Sequence, residues 1–170
     1  IGTSTAGWTA ADCDYLCDGT NDNIEIQAAI DALPASGGSI LILAGSYHLG
    51  GIINIKTKSV SIIGESHDSI LIGTARRIYF FFYVPTQPGK QALFQGLSFE
   101  DMGISSYGQD VSVVNCHFKN SYVNLQDNSA ADDPSIKLSY LIEGNTFIRN
   151  TDGTCIGAIL SSNHKNVRIT

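Results

Sequence analysis

The sequence predicts an all-β solenoid: parallel strands coiled about one long core, closed at one end by an α-helix. Three observations predict it. Ala92-Leu-Phe-Gln-Gly-Leu-Ser-Phe99, Val111-Ser-Val-Val-Asn-Cys-His-Phe118 and Tyr140-Leu-Ile-Glu-Gly-Asn-Thr-Phe147 share a four-position apolar code. Aligned on the three Phe, they place Gly96, Asn115 or Gly144 three residues earlier, and Gly and Asn hold positive φ most easily. On either side of that corner the alternation is that of strands. Ala92/Val111/Tyr140 and Phe94/Val113/Ile142 share one face before it, and Leu97/Cys116/Asn145 and the three Phe share it afterwards. Partial copies extend the series, since Val60-Ser-Ile-Ile-Gly64 matches the first half and Val167-Arg-Ile169 begins another unit. The first inward position falls at Val60, Ala92, Val111, Tyr140 and Val167. Irregular spacing around a repeated corner fits coils of one solenoid with loops of different length. An antiparallel sandwich of short strands is the alternative, and the repeated corner favours the solenoid.

The elements follow in order. Asp22-Asn-Asn-Ile-Glu25 resembles a capping box, with Asp22 accepting from early helix amides and Glu25 reaching back. A helix is expected from Ile24 to Leu33, because Ile26, Ala29, Ile30 and Leu33 recur at helical spacing before Pro34 and Gly37-Gly38 end it. Ile40-Leu-Ile-Leu43 reads as a buried strand, followed by the turn Ala44-Gly45-Ser46. An amphipathic helix of this size suits the end of a solenoid, whose first coil would otherwise expose its interior. Each coil also needs a third strand. Ile52 to Ile55, Ile78 to Val84, Ile104 to Tyr107, Tyr122 to Leu125 and Cys155 to Leu160 lie where it falls.

Composition agrees with one continuous domain, residues 1–49 forming the N-terminal segment with the helix and first strand, and 50–170 the coils. The chain has 170 residues, 43% of them hydrophobic, enough for a sizeable core. No apolar run approaches the roughly 18 residues of a membrane span, so membrane insertion is not expected. With 16 acidic against 10 basic side chains the net charge is -6, which repels phosphate backbones, so nucleic acid is not an expected partner. The start, Ile-Gly-Thr-Ser-Thr-Ala-Gly, shows no signal-peptide pattern, and Ile rather than Met at position 1 suggests processing or excision from a longer chain. Cys116 and Cys155 read as small buried thiols. Cys13 and Cys17 are close enough to be bridged, while a metal site built on them lacks two further ligands of matching spacing, so no metal is expected.

Cys17-Asp-Gly-Thr-Asn-Asp22, Ile24-Glu-Ile-Gln-Ala-Ala-Ile-Asp-Ala-Leu-Pro-Ala-Ser-Gly-Gly38 and Leu43-Ala-Gly-Ser-Tyr47 resemble the opening segment of the pectate-lyase-like right-handed parallel β-helix superfamily. Trp8-Thr-Ala-Ala-Asp-Cys-Asp-Tyr-Leu-Cys-Asp-Gly19 is similar to β-helix proteins of phages and prophages of Gram-positive bacteria, tail spikes and tail fibres among them. The resemblance implies a right-handed single-stranded parallel β-helix with an N-terminal capping α-helix. It covers about residues 8 to 49, and the coil pattern carries it onward. The superfamily includes polysaccharide lyases, glycoside hydrolases, epimerases and non-catalytic receptor-binding spikes, so the resemblance speaks to fold before activity. An extracellular or virion-surface location follows from the same resemblance.

Chemistry is therefore sought on outward positions and loops. Asn150-Thr-Asp152-Gly153 is similar to the tetrapeptide of polygalacturonase-type glycosidases in which the Asp belongs to the acid/base group; it reads first as a loop turn built from the residues that turns favour. In those glycosidases an Asp-Asp pair, a Gly-His-Gly and an Arg-x-Lys follow, and they do not all appear before Thr170. Glycosidic cleavage needs a second carboxylate about 5 to 9.5 Å away. Glu100 and Asp101, which follow the Phe99 strand, are candidates, and Asp127, Asp132 and Asp133 are acidic loop residues able to bind a cation or a sugar hydroxyl. Ca2+ is the one cofactor this chemistry admits, because lyase action beside a uronate needs clustered carboxylates, a metal and a basic residue, a set not legible here. His48, His67, His117 and His164 read as surface residues, with outward His117 the candidate for sugar contact. Tyr79-Phe-Phe-Phe-Tyr83 must alternate aromatic residues to the outside of a strand, and sugars stack on such rings, so Tyr79, Tyr83 and Tyr122 are carbohydrate-binding candidates.

The function these readings predict is recognition of bacterial surface or wall polysaccharide by a tail-spike or tail-fibre module. The alternatives are a polysaccharide hydrolase or lyase and a structural trimerising module. Because a coil begins at Val167 and Ile169, the C-terminal end is expected to be covered by further polypeptide or by another chain, as in a homotrimer.

Overall fold

The computed structural model describes residues 1–74, 79–83, 90–107, 110–126, 139–148, 157–160 and 166–170. It opens with β1 (Gly2–Thr3), a 3-10 turn at Ser4–Ala6, β2 (Leu16–Cys17) parallel to β1, and α1 (Asn23–Ala32). Strands then come in threes, one set per tier. The first tier holds β3 (Gly38–Ile42), β4 (Gly45–Leu49) and β5 (Ile53–Ile55); the second, β6 (Val60–Gly64), β7 (Ser69–Gly73) and β8 (Tyr79–Tyr83). The third holds β9 (Gln91–Gln95), β10 (Ser98–Glu100) and β11 (Gly103–Tyr107); the fourth, β12 (Asp110–Val114), β13 (His117–Lys119) and β14 (Tyr122–Gln126). The fifth holds β15 (Ser139–Glu143), β16 (Thr146–Ile148) and β17 (Gly157–Leu160), and β18 (Asn166–Ile169) follows.

Successive strands are dealt in rotation to three parallel sheets. The first sheet runs β3-β6-β9-β12-β15-β18, the second β4-β7-β10-β13-β16 and the third β5-β8-β11-β14-β17. The molecule is thus all-β apart from its helices, with sheets that stack tier on tier and remain open at their edges. The third strands fall on the predicted segments to within a residue or two.

Register puts like residues above one another, and that is where the core comes from. Tyr47, Leu71, Phe99, Phe118 and Phe147 form one column of the second sheet. Within it the Phe99 and Phe118 rings stack with centroids 4.9 Å apart, as do Phe118 and Phe147, a distance set by the strand spacing. Phe80 of the third sheet and Phe94 of the first meet edge-on at 4.9 Å, joining the sheets across the interior. Cys116 is buried there, which pushes its thiol up to about 11.

The expected corner is present. Gly96, Asn115 and Gly144 have φ of 66°, 49° and 64°, and each hands its amide to the next tier, Gly96 N–H to Val114 O and Asn115 N–H to Glu143 O. Asn145, inward yet polar, is satisfied because its Oδ1 accepts from Cys116 N–H and its Nδ2 donates to Val113 O, both at 2.8 Å. A second corner was not read from the sequence. Asp101 (φ 52°) and Asn120 (φ 50°) turn the chain from second to third sheet, and Asn120 Nδ2 donates to Asp101 Oδ1 at 3.1 Å.

The helix buries Ile26, Ala29 and Ile30 as expected. Leu33 leaves it with extended backbone (φ -60°, ψ 147°), the conformation Pro34 imposes on its predecessor. Lys58 Nζ donates to the carbonyls of Ile30, Asp31 and Leu33, a cation at the negative end of the helix. The capping box does not form. Asp22 is itself helical in φ and ψ and makes no side-chain cap bond; its buried carboxylate accepts instead from Gly19 N–H and His48 N–H. The edge of β4 takes the acceptor that the helix was expected to use.

Cys13 and Cys17 are both free thiols, so the bridge that their spacing allows is not made. Cys155 lies outside the described residues.

Candidate functional site

Side chains facing the core alternate along the third sheet, with Phe80, Ile104, Ser106, Val123 and Leu125 all buried; Ser105, between Ile104 and Ser106, is buried as well. The intervening positions form three columns across β8, β11 and β14. They are Tyr79, Gly103 and Tyr122; Phe81, Ser105 and Asn124; and Tyr83, Tyr107 and Gln126. Aromatic residues hold most of these positions. Three of the four carbohydrate-binding candidates, Tyr79, Tyr83 and Tyr122, are therefore brought onto one sheet face by register alone.

The half-buried Tyr122 side chain shows how such a face is built. Its ring lies directly over the Gly103 backbone: a Cβ at position 103 would sit 2.5 to 2.7 Å from the ring carbons. Glycine there makes room for a ring lying along the sheet. Gly103 and Tyr122 both stand four residues beyond the Phe of their code, an offset whose meaning emerges only once the strands are in register.

His117, the fourth candidate, lies on the second sheet instead. Its ring stacks on His67 at 3.7 Å and 5°, and the His67 Nε2–H donates to Asn115 O at 2.8 Å. The loop carrying His67 thus reaches past Ser98, whose Oγ donates to His67 O, to fasten on the fourth tier. One face of the His117 ring is covered by this imidazole. Burial, then the neighbouring His67, lowers the His117 pKa from its ordinary 6.5.

The acidic candidates sit apart from the tyrosines. Glu100, half-buried on β10, pairs with Lys119 of β13 at 3.0 Å. Asp101 is spent at the second corner, where its short side chain stabilises positive φ and binds Asn120. The signal for that role was available, since Asp101 and Asn120 each follow their Phe by two residues. Asp152, with Asp127, Asp132 and Asp133, lies outside the described residues, as does His164.

A groove of about 680 Å³ runs between α1 and β5, lined by Ile24, Ala28, Asp31, Ile52, Asn54 and Lys56 among others. It holds none of the candidates. No helix among the described residues is long and apolar enough to cross a membrane. Comparison with protein-family profiles, curated proteins and solved structures finds no match to this chain.

Proposed function

We propose that this chain is a right-handed parallel β-helix module of a phage-associated tail spike or fibre, and that it holds bacterial surface polysaccharide against the outer face of its third sheet. The rotation of strands among three parallel sheets supports the coil, and the strong right-handed preference of crossovers between parallel strands of one sheet supports its hand. The observation that carries the functional reading is the aromatic register of β8, β11 and β14. Flat rings on a rigid sheet match the apolar faces of successive sugar rings and lose little entropy on binding. The net charge of -6 favours a neutral or basic glycan over a polyanionic one.

The test is incubation of the purified chain with wall and capsular polysaccharides from Gram-positive bacteria, scoring both retention and the release of reducing or unsaturated ends. Retention without release, lost in Tyr122→Ala, is the expected result. Release of new ends identifies a hydrolase or lyase instead. A homotrimer that Tyr122→Ala dissociates while retention is unchanged identifies the face as a subunit interface.

A further inference from the structure

At the N-terminal end three groups that chemistry would normally separate are packed together. Cys17 Sγ from β2, a carboxylate oxygen of Asp22 before α1 and one of Glu25 in its first turn all lie within 4.8 Å of one another. Cys17 and Asp22 are fully buried, at 0% exposure. Two further features point to a missing partner. Glu25 Oε2 is shut off from solvent with no hydrogen-bond partner, and the fully buried Cys17 thiol makes no hydrogen bond to the described residues. Buried carboxylate oxygens in native proteins are satisfied as a rule, and two side by side repel unless a proton or cation lies between them. No Lys or Arg is paired with either carboxylate among the described residues.

We propose that Cys17, Asp22 and Glu25 bind one divalent transition-metal ion of the Zn2+ class, fastening β2 to the start of α1. The donor set selects the ion: Ca2+ and Mg2+ take oxygen ligands, whereas one sulfur with two carboxylates suits the borderline-soft Zn2+. Tetrahedral bonds of 2.0 to 2.3 Å hold donors about 3.5 Å apart, so the three groups close by roughly 1 Å around the ion, and a water supplies the fourth ligand. Asp22 is already fixed, its Oδ1 and Oδ2 accepting from Gly19 and His48 amides at 2.9 and 2.7 Å, which orients it as metal ligands are usually oriented. Binding exchanges one proton for the ion, the Cys17 S–H bond breaking as the sulfur–metal bond forms and the proton passing to solvent. Spacing alone does not reveal the set, because Cys17 and Asp22 are joined by a loop and Glu25 adds its carboxylate from the helix.

The test is titration of the metal-stripped chain with Co2+, followed by Zn2+. One equivalent of Co2+ is expected to give a thiolate-to-cobalt charge-transfer band and tetrahedral d–d absorption. Zn2+ should then displace the cobalt and raise the melting temperature. The band should vanish in Cys17→Ser, weaken in Glu25→Gln and persist in Cys13→Ser. X-ray absorption on the Zn2+-loaded wild-type chain, which needs no variant to fold, should show one sulfur and otherwise oxygen neighbours. A wild-type chain giving no band, a band surviving Cys17→Ser, or an all-oxygen or multi-sulfur shell would overturn the proposal.

Discussion

Gln27 and Asn54 exchange two hydrogen bonds, Asn54 N–H donating to Gln27 Oε1 at 2.7 Å and Gln27 Nε2 donating to Asn54 O at 3.1 Å. The side-chain amide therefore does for β5 what a neighbouring strand would do. Its companions act likewise: Asp22 gives its own N–H to His48 O and accepts the His48 N–H along β4, and Ile1 bonds Leu41 O and Leu43 N–H beside β3. The edges of all three first-tier strands are thus occupied, which removes the pairing hazard of an open sheet.

Gln27→Ala leaves both Asn54 backbone groups without partners where water is partly excluded. The expected loss is about 1–3 kcal/mol, read as a lower urea midpoint at unchanged slope. Gln27→Glu keeps the acceptor but loses the donor, and should fall between Ala and wild type.

Asn115 tests the first corner. Its φ of 49° is open to Asn and Gly but strained for a β-branched residue, so Asn115→Val should cost about 1–3 kcal/mol. Asn115→Gly, which relieves the strain and keeps the turn, should cost less. Equal effects of the two in urea denaturation would contradict the corner geometry.

The Phe ladder predicts a gradient. Phe118 is fully buried between two stacked neighbours, so Phe118→Ala should cost about 3–5 kcal/mol. Phe147 stacks on Phe118 and is only half-buried, so Phe147→Ala should cost less in the same denaturation series.

The stacked histidines predict acid sensitivity. Because burial and His67 lower the His117 pKa, the unfolded chain takes up this proton more readily than the folded one. The contribution is complete above the ordinary value of 6.5 and is lost as the pH falls from 6.5 through the lowered folded value. Urea midpoints measured across this window should decline in wild type, and His117→Gln should flatten the decline. An NMR titration placing His117 at or above 6.5 would contradict the assignment.

The stacked parallel tiers were legible because the third, fourth and fifth repeat the same local demand: a residue able to hold positive φ between two apolar alternations, as at Gly96, Asn115 and Gly144. The second corner was not, since Asp101 and Asn120 look like surface polar residues until their common offset from Phe99 and Phe118 is noticed. The capping box failed because Asp22 has two possible amide partners, and the edge of β4, contributed by residues 26 positions away, outcompetes the helix. The candidate site was half legible. Sequence singled out Tyr79, Tyr83 and Tyr122 as aromatic positions, but which lie level depends on loops of unequal length between strands. His117 could be read as outward; that it meets His67 depends on a contact between residues 50 apart in the chain.

The central claim is that glycan binds along the third sheet, and hydrogen–deuterium exchange with and without a retained polysaccharide tests it most directly. The account predicts slowed exchange at β8, β11 and β14, centred on Tyr122, with the outer faces of the first and second sheets unchanged. Protection confined to those other sheets, or none at saturating polysaccharide, would contradict it.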